Sequence, residues 1–130
     1  MTETMGEFVI SDEKQRLDIE AIYTLLRQTY WARNRNFETI QKAVANCLCF
    51  GVYHNGAQVG FARCLTDHAT VYWLCDVVID PAYRGRGLSK KLLQCITEHE
   101  ELRNLFGFLV SSDTKGLYEK FGFKLTTIPH

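Results

Sequence analysis

Apolar positions recur along this chain with two different periods, and the switches between them sketch the fold. Ile19, Ile22, Tyr23, Leu26 and Tyr30 fall at i, i+3, i+4, i+7 and i+11, one face of an amphipathic helix. Asp12, with Gln15 three residues on, marks the expected start of that helix. Phe37, Ile40 and Val44 repeat the spacing in a shorter helix, which Asn36 caps and Asn46 ends. From Leu48 the pattern changes to short β-branched and aromatic runs over 48–53, 58–66 and 70–79. His54-Asn55-Gly56 and Asp67-His68-Ala69 are the turns between them, and Asn-Gly tolerates the positive φ of a tight hairpin. Gly60 marks a bulge or a close backbone approach. Leu88, Leu92, Cys95, Ile96 and His99 return to helical spacing, to about residue 101. A continuous apolar run over 105–110 reads as a buried strand. Ser111, Ser112 and Asp113 can cap a short helix containing Leu117, Tyr118 and Phe121, with Gly122 at its C′ position and a last strand over 123–127. A short strand over 7–10 precedes the first helix.

The expected order is β-α-α-β-β-β-α-β-α-β, a single α/β domain over 1–130. Its mixed, mostly antiparallel central sheet carries about four helices, and its one β-α-β crossover makes the flanking strands parallel.

That crossover contains the densest chemistry. Val77-Val78-Ile79 is a branched apolar strand end, and Asp80-Pro81 stops it because proline has no N–H for the ladder. Arg84-Gly85-Arg86-Gly87-Leu88-Ser89 then opens a helix. Glycines let the backbone turn and let a ligand approach it, while the unpaired N–H groups of a helix start favour an anion. Arg84 and Arg86 suit phosphate oxygens. On these grounds alone nucleotide, phosphate and acyl-CoA remain open.

Composition narrows the partners. Lys plus Arg and Asp plus Glu are 15 each, so no global field draws the chain to nucleic acid or to a membrane. No run approaches the roughly 20 apolar residues that span a bilayer, and Glu3 and Glu7 stand where a signal peptide would be apolar. Five cysteines (Cys47, Cys49, Cys64, Cys75 and Cys95), odd in number and without a CxxC, read as free thiols in a reducing cytoplasm. No HExxH, Ser-His-Asp setting or Walker GK[ST] is present, so no metal is expected and nucleophilic or NTP hydrolysis is disfavoured.

Residues 84–89 resemble the acyl-CoA pyrophosphate loop of the GNAT N-acetyltransferase superfamily, Arg/Gln-x-x-Gly-x-Gly/Ala. Leu117-Tyr118-Glu119-Lys120-Phe121-Gly122-Phe123 resembles that family's late helix-to-strand segment. Two motifs about thirty residues apart, with a helix and a strand between, make the resemblance specific, and it covers the chain from about Ile10 to Phe123. Ser89 replaces the final Gly/Ala, Ser111 stands where many members carry asparagine, and Thr114 where alanine is common. The chain stops at His130, soon after its expected sixth strand, where many members add a seventh; the acceptor side is then more open or completed by a partner.

The resemblance implies acetyl-CoA as co-substrate and direct attack by an acceptor amine. Main-chain N–H groups of Gly85, Arg86, Gly87, Leu88 and Ser89 would hold the pyrophosphate. Val77, Val78 and Ile79 would align the pantetheine, with Ser111 near it, and Tyr118 would be the general acid that protonates the leaving thiolate. Tyr30, Trp31, Arg33 and Arg35 would lie over the acceptor site. Asp76 is a lone carboxylate in an apolar strand, on strand alternation sharing a face with Tyr72, Leu74 and Val78; it reads equally as general base or as a satisfied structural group. His54 and His68 fall in turns and read as exposed; His99 and His130 carry no pattern. The expected acceptor is a small or amino-acid-like amine, with a protein or peptide acetyltransferase, or an acyl-CoA sensor without turnover, as alternatives. The expected assembly is a monomer or homodimer.

Overall fold

Among the described residues seven strands lie side by side in sequence order: β1 (Thr2–Met5), β2 (Phe8–Ser11), β3 (Leu48–His54), β4 (Ala57–Thr66), β5 (Val71–Ile79), β6 (Phe106–Val110) and β7 (Lys124–Thr126). The structure is a computed structural model, and it describes residues 1–110 and 118–126. β1 to β5 form an antiparallel meander, and β6 joins β5 in parallel after the expected crossover. β7 is also parallel to β6, so there are two parallel pairings where the sequence suggests one. β1 is unforeseen. Its polar run Thr-Glu-Thr-Met suits an edge strand, and Gly6 turns it into β2 at φ 58.

Helices α1 (Ile19–Arg27) and α2 (Phe37–Ala45) cover one face of the sheet. Their Ile22, Leu25, Leu26, Ile40 and Val44 pack on Cys49, Phe61 and Val78. α3 (Leu88–Glu98) covers the other, with Leu88, Leu92, Leu93, Cys95 and Ile96 against Phe50, Val52, Ala62, Tyr72 and Leu74. The apolar stripes are those that the spacing predicts. Among the described residues there are three α-helices rather than about four. The expected start of the fourth, 111–117, lies outside the described residues, and Glu119–Phe121 is a single 3₁₀ turn.

The first helix begins later than expected. Asp12 does not cap it; its carboxylate binds the Met1 amine and His99 Nε2, each at 2.7 Å. Lys14–Arg16 is a 3₁₀ turn, and Asp18 caps α1 by accepting the Ala21 N–H at 3.1 Å. Asn36 caps α2 through the Thr39 N–H at 2.8 Å, as expected. Gly60 is a close approach: a Cβ there would lie 2.8 Å from Ile79 Cδ1.

One irregularity sets which way the side chains at the end of β5 point. Arg63 pairs with Asp76 but Cys64 pairs with Leu74, so Cys75 bulges out of β5. Tyr72 and Leu74 therefore point to the α3 core, while Asp76 and Val78 point to the helix α1 and α2 side. The expectation that these four share a face is overturned by that extra residue. β5 also loses its β6 neighbour at this level, for the parallel register runs only from Val71 to Leu74. Beyond Leu74, the β6 side of β5 has no strand partner among the described residues.

Candidate cofactor and acceptor cleft

The end of β5, paired with β4 on one edge and without a strand on the other among the described residues, opens into a cleft of about 310 Å³, lined by Gln28, Thr29, Tyr30, Trp31, Val77, Val78, Ile79, Arg84 and Ser89. Three separate sequence segments thus converge: the strand end, the glycine loop and the loop that follows α1.

The strand hands over to the loop through a 3₁₀ turn, Pro81–Tyr83, capped by Asp80 Oδ1 on the Ala82 N–H at 2.9 Å. Gly85 and Gly87 both have φ near +80 in the left-handed region, and the space beside each is open. Gly87 occupies the N-cap position of α3 without a side-chain cap, so the first N–H groups of α3 are left to face a ligand. Leu88 is buried in the core, so only its main chain can serve such a ligand. Ser89 lines the cleft from the first turn of α3. Arg84 lines it too, with Nε directed at the Ile79 carbonyl at 3.4 Å, while Arg86 lies over the Tyr83 ring at 5.3 Å. Tyr83 is held in turn by His54, whose Nδ1 is 3.2 Å from the phenol oxygen and whose Nε2 is 3.2 Å from Glu7. His54 is therefore a half-buried support of the loop rather than an exposed turn residue. His68 is exposed as expected, and His99 is buried against Asp12.

The loop over 28–36 brings Tyr30 and Trp31 to the cleft, their rings edge to face at 5.3 Å. Thr29 shapes it: its hydroxyl donates to the Leu26 carbonyl and accepts the Ala32 N–H. Arg33 is exposed and does not line the cleft, so its expected substrate contact has no geometric support.

Asp76 sits beneath this loop, 2% exposed. Its Oδ1 accepts from Trp31 Nε1 at 2.9 Å and Arg35 NH1 at 3.1 Å; its Oδ2 accepts from Arg35 NH1 at 3.0 Å and Arg63 Nε at 2.8 Å. Burial alone would raise this carboxyl, but the hydrogen bond and charge of Arg63, then those of Arg35, outweigh it and hold it below the ordinary value of 3.8. A carboxylate so occupied is a weak base, and of the two readings the geometry favours the satisfied structural one. Arg63 is not among the site residues expected from the sequence. The available signal was its cross-strand position: a lone arginine in an apolar strand next to a lone aspartate.

Tyr118 is half-buried, with its ring packed against the α3 core. Its ring meets Phe123 at 6.4 Å, and Phe123 meets Tyr72 at 5.7 Å, both edge to face. Gly107 leaves room for Tyr72, since a Cβ there would stand 2.7 Å from the phenol ring. Ser111 and Thr114 lie outside the described residues. Among the described residues no cluster of His, Cys, Asp or Glu could hold a metal, and no helix is long and apolar enough to cross a membrane.

A family profile described as an acetyltransferase (GNAT) domain matches residues 45–125, from the end of α2 to β7. A Gibberella zeae protein named as an acetyltransferase is 29% identical over an alignment of 115 positions, with 73% of this chain and 65% of that one covered. The chain thus spans less than two thirds of that relative's length. A crystal structure of a GNAT-family protein from Xanthomonas campestris pv. campestris superposes with a TM-score of 0.85 at 40% identity, over 93% of this chain and 87% of that one. The PaiA N-acetyltransferase of Thermoplasma acidophilum, solved in complex with coenzyme A, shares the fold at a TM-score of 0.55 and 15% identity, over 67% of each chain. The profile takes in the splayed strand, the left-handed glycines and the uncapped helix as one unit, and on that match the chain belongs to the GNAT acetyltransferase family.

Proposed function

We propose that this chain transfers an acetyl group from acetyl-CoA to the amine of a small acceptor. The observation that carries the reading is the meeting, across one cleft, of the strand edge that β6 leaves open among the described residues with an uncapped helix start. The N–H groups around Gly85 and Gly87 and the charges of Arg84 and Arg86 suit a pyrophosphate. The free edge of Val77, Val78 and Ile79 suits the two amides of a pantetheine arm, which pair with main chain as a strand would.

The acceptor nitrogen attacks the thioester carbonyl and forms a tetrahedral adduct. A main-chain N–H on the strand edge stabilises its oxyanion. The C–S bond then breaks, the amide remains on the acceptor, and the thiolate takes a proton, for which Tyr118 is the assigned donor. The acceptor sits against Tyr30 and Trp31 and reaches the thioester as the free amine, with its proton passed to water rather than to Asp76. The protein works from the cytoplasm as a monomer or homodimer.

The test is thermal unfolding with acetyl-CoA and with ATP, followed by CoA-thiol release across small amines, amino acids and peptides. Acetyl-CoA at a hundredfold excess over its Kd stabilises by about 2.7 kcal/mol. Stabilisation by ATP and not by acetyl-CoA overturns the assignment. Release with peptides alone moves the acceptor from small amine to protein.

A further inference from the structure

The cluster around Asp76 does something the transfer reaction does not require of a carboxylate. Two of its donors, Trp31 and Arg35, belong to the 28–36 loop, and the third, Arg63, belongs to β4. Asp76 itself is on β5, at the foot of the cleft-lining strand end. One buried side chain therefore ties the acceptor-side loop to two sheet strands.

We propose that Asp76 is a positioning residue, a latch that holds the aromatic wall of Tyr30 and Trp31 at a fixed distance from the strand end. The inference rests on reading that wall as the acceptor side of the cleft. Trp31 is 43% exposed, so burial does not fix its ring. The bond from its indole N–H to the carboxylate does, and it anchors the ring at the inner end while the outer face stays open to a ligand. Arg35 adds a second anchor four residues on, backed by its own N–H on the Ala32 carbonyl at 3.1 Å. The two anchors bracket Ala32, which is 1% exposed and pinned by Thr29. The side chains that face Asp76 are Trp31, Arg35 and Arg63, with the Cys47 sulfur accepting from Arg63 NH1 at 3.4 Å behind them. Two guanidinium groups against one carboxylate keep it ionised, so the latch stays closed throughout the neutral range.

The latch has a spectroscopic reporter. The chain has two tryptophans, and the second, Trp73, stacks on Phe108 at 5.1 Å further along β5. In ¹⁵N-labelled protein, Asp76→Asn is expected to move the Trp31 indole N–H resonance and to speed its hydrogen exchange at least tenfold, with the Trp73 signal unmoved. Trypsin is expected to cut after Arg33 at least fivefold faster. Acetyl-CoA should still raise the melting temperature, because the latch lies on the acceptor side. An unchanged Trp31 signal and cutting rate overturn the latch, and loss of the acetyl-CoA shift with the Trp73 signal intact overturns its acceptor-side placement. If Asp76→Asn does not fold, Trp31→Phe removes the indole N–H together with its five-membered ring and keeps a benzene ring in the wall. Faster cutting after Arg33 then supports the latch, and an unchanged rate overturns it. Should acetyl-CoA fail to stabilise the unsubstituted protein, the transferase reading falls while the loop measurements still decide the latch.

Discussion

Gly87→Ala separates what the glycine loop costs the fold from what it gives a ligand. Gly87 has φ +79 and ψ 10, and a Cβ placed there meets nothing within 4 Å. No steric clash is added, so the structural cost is the left-handed conformation itself, about 1–2 kcal/mol for a residue with a Cβ. At about 2.1 cal/mol/K per residue, unfolding entropy turns that cost into a fall of about 4–7 °C in Tm for a chain of this length. The ligand term is larger. A methyl group on the surface that meets the pyrophosphate pushes the phosphates off the N–H groups of α3. If the Kd rises a hundredfold, a concentration that stabilised the unsubstituted protein by about 2.7 kcal/mol stabilises the variant by only about 0.4 kcal/mol. Differential scanning fluorimetry with and without acetyl-CoA reads both terms in one plate. A variant that unfolds a few degrees lower yet keeps the full acetyl-CoA shift refutes main-chain binding of the pyrophosphate. A variant that loses far more than 2 kcal/mol without ligand refutes the open space beside Gly87.

Tyr118→Phe should leave the acetyl-CoA melting shift intact and lower kcat about a hundredfold in a CoA-release assay, and an unchanged kcat removes the phenol from the acid role. Asp76 has a folded pKa below its unfolded value of about 3.8, so its stabilisation is complete above that value and is lost as pH falls through the folded one. The Tm gap between the unsubstituted protein and Asp76→Asn should therefore be constant from pH 7 to about pH 5 and close below the carboxylate range, in a set of melts down to pH 2.5. Leu92 is 0% exposed on the inner face of α3, and Leu92→Ala should cost about 2–5 kcal/mol in urea unfolding; a smaller loss means that the α3 layer closes the cavity.

The parts of this architecture that could be read from sequence are those governed by local rules. Helical spacing named the buried faces of α1, α2 and α3, because each helix has one apolar stripe and one solvent face. Asn55-Gly56 named the hairpin, since both residues take positive φ. The glycine loop carried its own signature. What stayed hidden depends on partners distant in sequence. Asp12 looks like a cap until the Met1 amine and His99 claim it. β1 has no apolar alternation because an edge strand with exposed residues needs none. Arg35 reads from sequence as a residue over the acceptor site, and only the fold puts it beside Asp76. The cleft was legible as two lists of residues, a cofactor side and an acceptor side. Their meeting was not, because it follows from where β5 leaves β6.

Cys75 adds a single position to β5, and that position changes the parity of the strand. Even-numbered residues before it face α3, and even-numbered residues after it face α1 and α2. When this chain is aligned with relatives, a gap moved by one residue across Cys75 exchanges the two faces of the strand end. It assigns the carboxylate of Asp76 to the α3 core and an apolar residue to the latch. A comparison of strand ends among such chains therefore has to be anchored on the cross-strand pair of Arg63 and Asp76, and transfer of residue roles between them is sound only on the same side of the bulge.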